Sequence, residues 1–419
     1  MDKFVIEGPV RLDGTVTVHG AKNAVLPLMA AALLARGTSV IRNVPRLRDV
    51  DTMIKLLNLL GARTSVEDRT LTIDTSNANG VEAPYELVRT MRASIYVLAP
   101  LLAAHGRARV SLPGGCAWGP RPIDLHLMAM EKLGAHVVLD HGYIHAECER
   151  LRGAEISFPI SSVGATVQTV MAAALADGTT RIENAASEPE ITDLVEALIR
   201  AGVTIVGGGT STLEITGVTS VEPLDHSVIP DRIEAGTLAA AAAVTGGAVT
   251  LAASRREHLG AVIDTLESCG ASFADGPGGL VVTGPQRLSP ADVTTREYPG
   301  FPTDMQAQIM AVLCLADGVS TVKDTIYPDR FTHVPELRRF GADLRLDGNL
   351  AVIRGVDQLE GVPVMATDIR ASSGLILAAM AARGRSEILR VYHIDRGYER
   401  IEESLRGLGA HIERIRNAP

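Results

Sequence analysis

Met171-Ala172-Ala173-Ala174-Leu175-Ala176-Asp177-Gly178-Thr179-Thr180-Arg181-Ile182 reads as an alanine-rich helical stretch that ends at a glycine and passes into a short β-branched run. The same pattern recurs along the chain, at Arg36-Gly37-Thr38-Ser39-Val40-Ile41 and His105-Gly106-Arg107-Ala108-Arg109-Val110 in the first half. The second half repeats it at Gly246-Gly247-Ala248-Val249-Thr250-Leu251, Asp317-Gly318-Val319-Ser320-Thr321-Val322 and Arg383-Gly384-Arg385-Ser386-Glu387-Ile388. Successive glycines lie about 70 residues apart, an internal repeat longer than any solenoid period. A second marker runs in phase with the first: Gly61-Ala62, Gly134-Ala135, Gly202-Val203, Gly270-Ala271, Gly341-Ala342 and Gly409-Ala410. Amphipathic segments precede these pairs, residues 50–60, 123–133 and 191–201 among them. A glycine just past the last helical turn is the expected C-cap, because glycine enters the left-handed region without steric cost. Each repeat is therefore expected to run buried helix, strand, amphipathic helix, strand and usually a hairpin strand.

The stretches at 26–34, 171–176 and 238–244 are apolar nearly all round, and a helix of that kind has to be covered on every side. Six repeats with interior helices and exterior sheets predict an α/β fold of two three-fold domains, three repeats in each. The length of 419 residues agrees, being too great for one ordinary core. Such a scaffold does not by itself specify a chemistry.

Composition narrows the functional classes. Apolar residues make up 46% and charged residues 21%, the balance of an ordinary globular protein rather than a disordered one. Aromatic residues are only 3%, so the core has to be built from Ala, Leu, Val and Ile. The formal net charge of -9, with no long Lys/Arg run, argues against nucleic-acid and acidic-membrane partners. The four cysteines, Cys116, Cys148, Cys269 and Cys314, are widely spread with no zinc-ligand spacing, which predicts free thiols in a reducing compartment. The start Met1-Asp2-Lys3-Phe4-Val5-Ile6 lacks the layout of a secretory signal. The apolar stretches at 25–35 and 238–244 fall short of the roughly 20 residues a membrane span needs. A soluble cytoplasmic protein is expected.

Several short stretches could carry chemistry. Ser111-Leu112-Pro113-Gly114-Gly115-Cys116-Ala117-Trp118-Gly119-Pro120-Arg121-Pro122 reads as a loop and candidate lid, with a thiol whose thiolate character would rise beside cations. The alternative is a surface loop with an incidental thiol. Lys22-Asn23, placed between a strand and a buried helix over 24–34, offers an anion site at a helix start, or else a solvated lysine and a nearby asparagine. Ser161-Ser162-Val163-Gly164 opens another alanine-rich helix, either as a cap or as a diphosphate cradle. Asp304, in Phe301-Pro302-Thr303-Asp304-Met305-Gln306, is either a helix cap or a carboxylate within reach of a substrate hydroxyl. Asp368-Ile369-Arg370 and Asp395-Arg396-Gly397-Tyr398-Glu399-Arg400 are either surface ion pairs or anion clamps. No Walker A, H-E-x-x-H or dinucleotide G-x-G-x-x-G pattern is found.

In this order the stretches resemble a single family, the UDP-N-acetylglucosamine 1-carboxyvinyltransferases. The likeness runs through Gly20-Ala21-Lys22-Asn23-Ala24, Val88-Arg89-Thr90-Met91-Arg92-Ala93-Ser94, residues 112–121 and Ser162-Val163-Gly164-Ala165-Thr166. It continues through Pro230-Asp231-Arg232-Ile233-Glu234 and the runs at 301–308, 366–371 and 392–400, so it covers essentially the whole chain. The resemblance implies a pair of inside-out α/β barrels, one domain at 21–229 and the other joining 1–20 to 230–419. It implies transfer of an enolpyruvyl group from phosphoenolpyruvate to the 3-hydroxyl of UDP-N-acetylglucosamine by addition and elimination, with no metal or organic cofactor. On that resemblance Asp304 is the base and Cys116 the proton donor, a thiol open to alkylation by fosfomycin. Lys22, Arg121 and Arg396 would clamp the phosphoenolpyruvate anion, with Asn23 and Arg370 beside it. Asn23, Arg92, Arg121, Pro122, Ile123, Asp124, Leu125, Ser162, Val163, Gly164, Asp304 and Ile326 would hold the nucleotide sugar, and Asp368 would help organise the site.

The chain departs from the family at Phe158-Pro159-Ile160-Ser161, where a basic residue often stands before the Ser-Val-Gly turn. Two alternatives are set against this reading. A shikimate 3-phosphate enolpyruvyl transferase would lack both the cysteine loop and the Arg121-Pro122-Ile123-Asp124-Leu125-His126 run. A non-catalytic UDP-sugar-binding paralogue would be expected to lose Cys116, Asp304 or Lys22, and all three are here.

Overall fold

The computed structural model describes residues 2–112 and 123–416. The alanine-rich stretches form the helices Lys22–Ala31, Leu98–His105, Val163–Ala173, Arg232–Thr245, Gln306–Leu313 and Ile369–Ala381. Most of their residues are buried. Small side chains let these helices approach closely. At Gly374, in the interior of Ile369–Ala381, an added Cβ would lie 2.7 Å from the Ala307 carbonyl oxygen on the neighbouring core helix. A mid-helix glycine costs about 1 kcal/mol relative to alanine; here the contact leaves no room for alanine.

The described residues form six four-stranded sheets. The repeat around Val163–Ala173 shows the plan. Glu155–Ser157 leads into the core helix, and Thr179–Glu183 leaves it and pairs with that strand in parallel, Ile156 opposite Ile182. The amphipathic helix Pro189–Arg200 follows, then the antiparallel hairpin of Thr204–Val206 and Thr212–Thr216. Along Thr179–Glu183 burial alternates, with Thr180 and Ile182 inward and Thr179, Arg181 and Glu183 exposed, as expected for a sheet covered on one face. The short strand before each core helix is an addition to the sequence reading, which gave each repeat one strand fewer. Five of these six strands have only two or three residues, as in Glu82–Ala83, too few to show a period.

The six second-marker glycines close the amphipathic helices in one manner. Gly61, Gly134, Gly202, Gly270, Gly341 and Gly409 have φ between +92° and +98°. In each case the amide of the following residue donates back into the last turn, as from Ala62 to Leu57 (3.0 Å) and from Ala410 to Leu405 (3.0 Å). That is the Schellman arrangement, and it satisfies carbonyls the helix end would otherwise leave open.

The chain divides into two compact units, Gly20–Ile229 and Met1–His19 with Pro230–Pro419. Each has its own apolar cluster. In Gly20–Ile229 the ring of three repeats closes when Asp225–Ser227, from the end of the unit, pairs in parallel with Thr38–Arg42 near its start. In the other unit the N-terminal segment does this. Asp13–Thr17 pairs in parallel with Ala248–Ala252, while Lys3–Gly8 fills the gap between Gly384–Leu389 and His411–Ile415. Among the described residues no helix is long and apolar enough to cross a membrane.

Candidate active site

Most of the described candidates lie at or near the entry to a core helix; Ile123, Asp124, Leu125, Ile326 and Arg396 do not. In Gly20–Ile229 the first core helix begins at Lys22 itself, with Ala21 in extended conformation before it and no side-chain cap. This corrects the expected start at Ala24. Lys22 is also not a solvated side chain: it is buried, and its Nζ lies 2.7 Å from Oδ2 of Asp49, in the first turn of Arg48–Leu59. A cation at a helix N-terminus opposes the helix dipole, and the buried Asp49 carboxylate offsets that cost. Asn23 follows, half-buried.

The second entry of this unit is the 3-10 turn Arg92–Val97, which runs into Leu98–His105. Arg92 acts on His126, a buried residue in the first turn of Asp124–Lys132. Burial, and then the Arg92 charge, push the His126 imidazole down to about 4, so it is neutral at pH 7. The third entry is Ser162, whose hydroxyl caps Val163–Ala173 by accepting from the Ala165 amide at 3.3 Å. Gly164, in the first turn, brings these stretches together. A Cβ there would fall 2.7 Å from the His126 ring and 3.9 Å from Tyr96. Gln168 ties the two helices further, donating to the Ile95 carbonyl (2.6 Å) and accepting from the Ala99 amide (2.9 Å). The stretches containing Arg92, Asp124 and Ser162–Gly164 therefore share one region, with Ile123 and Leu125 packed against the same core. Ile160, at the position of the departure noted above, is 62% exposed. Cys116, Arg121 and Pro122 lie outside the described residues.

In the other unit the entries carry carboxylates. Asp231 caps Arg232–Thr245, accepting from Ile233 (2.8 Å) and Glu234 (3.1 Å). Asp368 caps Ile369–Ala381, accepting from Arg370 (2.8 Å) and Ala371 (3.0 Å). Asp304 does neither. It sits in the 3-10 turn Thr303–Met305 ahead of Gln306–Leu313 and makes no side-chain cap. Instead its Oδ1 lies 2.8 Å from Arg330 Nη1, and its Oδ2 lies 2.8 Å from Arg370 Nη2. The cap alternative for Asp304 is thus corrected, as is the surface ion-pair alternative for Asp368-Ile369-Arg370: Arg370 is buried, and its partner is Asp304.

Two opposing effects set the state of Asp304. Burial alone would raise its carboxyl, but Arg370 and Arg330 outweigh that and hold it well below the usual carboxylate range. The backbone of Asp304 is held as well. Gln308 Nε2, with two protons to donate, stands within hydrogen-bond distance of the Asp304 carbonyl (3.1 Å), Thr237 Oγ1 (3.0 Å) and the Tyr398 hydroxyl (3.2 Å). The Arg370 guanidinium stands 5.6 Å from the Tyr398 ring centroid. Ile326 belongs to a turn held by Asp324, whose Oδ1 accepts from the amides of Ile326 (3.0 Å) and Tyr327 (2.8 Å). Arg396 ends the turn Val391–Arg396, and its charge is felt by His393. The neighbouring Asp395 pairs with Arg414.

Sequence reasoning passed over Arg330, Thr303, Asp324 and His126. Arg330 carries no local signal, since its partner is 26 residues earlier in the chain. Asp324 had one: an Asp whose side chain accepts from the amide two residues on is an Asx-turn. Of the remaining cysteines, Cys269 and Cys314 are buried thiols pushed up to about 11 and about 12 by burial.

Comparison with known proteins points in one direction. A family model described as EPSP synthase (3-phosphoshikimate 1-carboxyvinyltransferase) matches residues 6–405. The UDP-N-acetylglucosamine 1-carboxyvinyltransferase of Geobacter metallireducens is 53% identical over 416 residues, 99% of this chain and 100% of that protein. The protein of the same name from Anaeromyxobacter dehalogenans is 54% identical over 421 residues, again 99% of this chain and 100% of its own. Among solved structures, the enolpyruvyl transferase NikO from Streptomyces tendae superposes with a TM-score of 0.87 at 26% identity, covering 100% of this chain and 99% of that one. An EPSP synthase from Acinetobacter baumannii shares the fold, with a TM-score of 0.75 at 18% identity over 99% of this chain and 100% of that one.

Proposed function

The chain belongs to the EPSP synthase family of carboxyvinyltransferases, and from that premise we propose that it transfers the enolpyruvyl group of phosphoenolpyruvate to the 3-hydroxyl of UDP-N-acetylglucosamine. The observation that carries the choice of acceptor is the full-length identity of 53–54% with relatives bearing that activity in their name. The family model alone would leave shikimate 3-phosphate equally open.

The addition step forms a bond between the sugar oxygen and C2 of phosphoenolpyruvate. Asp304 takes the hydroxyl proton, and C3 receives a proton from the Cys116 thiol. Elimination then breaks the bond from C2 to the phosphate oxygen, returns a proton from C3 to the Cys116 thiolate and restores the double bond, while the proton held by Asp304 leaves with the phosphate. Asp304 in the geometry described is a weak base, because two arginines stabilise its charge. An anionic substrate that draws a guanidinium away removes part of what holds the carboxyl low, and the carboxyl then becomes a stronger base. The arginines thus serve two anions in turn. Lys22, Arg121 and Arg396 supply further positive charge for the phosphate and carboxylate, with Asn23 and Arg370 beside them. The nucleotide sugar is held by Asn23, Arg92, residues 121–125, Ser162–Gly164 and the backbone at Ile326. The reaction takes place in the cytoplasm.

Phosphate release from phosphoenolpyruvate, with UDP-N-acetylglucosamine and shikimate 3-phosphate offered separately, tests the proposal. Release with the nucleotide sugar alone is expected. Release only with shikimate 3-phosphate would reverse the choice of acceptor, and release with neither would favour a binding protein.

A further inference from the structure

The carboxylate of Asp324 is fully buried and does more than shape the turn at Ile326. Its Oδ1 accepts from Thr295 Oγ1 (2.8 Å) and from the two amides of that turn, while its Oδ2 accepts from Thr303 Oγ1 at 2.7 Å. Four donors converge on this one carboxylate. The Thr303 hydroxyl has a second neighbour, Arg330 Nη1 at 3.1 Å, which is the same nitrogen that meets Asp304 Oδ1. Guanidinium nitrogens only donate, and an ionised carboxylate only accepts. The hydroxyl therefore has one arrangement open to it: its proton points to Asp324, and its lone pair faces Arg330.

We propose that Thr303 is a positioning residue, a one-way hydrogen-bond pivot that sets where Arg330 meets the Asp304 carboxylate. The inference rests on the reading of Asp304 as the base and deepens it. Arg370 approaches the opposite oxygen from its own helix, packed against Tyr398 and within the field of Asp231. Arg330 comes instead from the loop after Asp324, and its charge acts on His333, which Asp368 influences in the opposite sense. Thr303 is directly bonded in sequence to Asp304, so the pivot ties the base and the arginine that restrains it to a single buried anchor. The nucleotide-sugar turn hangs from the other oxygen of that anchor. Removing the hydroxyl should therefore disturb the base while sparing the turn.

The test is a pair of variants in the full chain. Thr303→Val keeps the shape of the side chain and removes the hydroxyl; Thr303→Ser keeps the hydroxyl and removes the methyl. For Thr303→Val we expect kcat to fall about tenfold, the scale of one hydrogen bond to a charged group. The dissociation constant for UDP-N-acetylglucosamine, measured by calorimetry, should stay within about twofold, because that turn is held by Oδ1. Thr303→Ser should return kcat to near the wild-type value. The pivot is refuted if Thr303→Val turns over like wild type, if nucleotide-sugar affinity falls in step with kcat, or if Thr303→Ser is as slow as Thr303→Val. Should Thr303→Val not fold, Thr303→Ala against Thr303→Ser gives the same contrast. An Asp304→Asn control separates the two ideas. If that variant is fully active, the base reading fails whatever Thr303 does; if it is inactive while Thr303→Val is unimpaired, only the pivot fails.

Discussion

The two units enter their core helices at corresponding points with different residues, two cations and a serine in one and three carboxylates in the other. In Gly20–Ile229 the three entries present Lys22, Arg92 and Ser162, and only Ser162 caps its helix. In the other unit they present Asp231, Asp304 and Asp368, and only Asp304 fails to cap. The middle entry of each unit is a 3-10 turn, carrying Arg92 in one and Asp304 in the other. Each unit also holds a buried, neutral histidine under the influence of an arginine, His126 with Arg92 and His333 with Arg330. The comparison teaches where to look. Two aspartates at helix entries accept from backbone amides, and the third gives its oxygens to two arginines. Lys22 and Arg92 sit where a helix dipole disfavours cations, so local folding preference does not account for them.

The largest stability effect should come from breaking the buried pair in the first unit. Lys22→Met leaves the Asp49 carboxylate buried without that cation, and urea denaturation should register a loss of about 3–5 kcal/mol. A loss under about 1 kcal/mol would show that the pair is not what keeps a cation at that helix start.

A pH effect follows from the matched histidines. His126 stays neutral in the folded chain down to about 4, whereas an unfolded histidine takes its proton near 6.5. Between those values the unfolded state binds more protons, so stability falls as pH drops through that window, by up to about 3 kcal/mol for this one group. His126→Gln should flatten that part of the stability–pH curve, read as urea midpoints at about pH 7 and pH 4.5. An unchanged slope would mean that His126 is solvated enough to titrate normally.

The smallest effect belongs to the caps. Asp368→Ala removes two hydrogen bonds to amides at the helix start and should cost about 1 kcal/mol, measured as a shift in denaturation midpoint. Asp304→Ala removes no cap, so the two aspartates should separate when stability and turnover are measured side by side.

Much of the scaffold was legible because its markers are local. Six glycines past amphipathic helices fixed the helix ends, and alanine-rich runs fixed the core. The ring closures were not legible, since nothing local tells Asp225–Ser227 to pair with Thr38–Arg42 or Lys3–Gly8 to lie beside Gly384–Leu389. The site divides in the same way. Ser162 as a cap could be read from its place before a helix. The grip on Asp304 could not, because its arginines stand 26 and 66 residues away, and Arg370 was read together with its sequence neighbour Asp368. The Asp304 turn resembles an ordinary helix start, and only the direction of its oxygens distinguishes it.

That distinction is open to one direct measurement: turnover of Asp304→Asn at saturating substrates, alongside calorimetric binding of UDP-N-acetylglucosamine. A carboxylate that accepts the hydroxyl proton predicts a fall in kcat on the order of 10²–10⁴ with the nucleotide sugar still bound. A variant that keeps near wild-type kcat would contradict the account, reducing Asp304 to a structural counter-ion for Arg330 and Arg370.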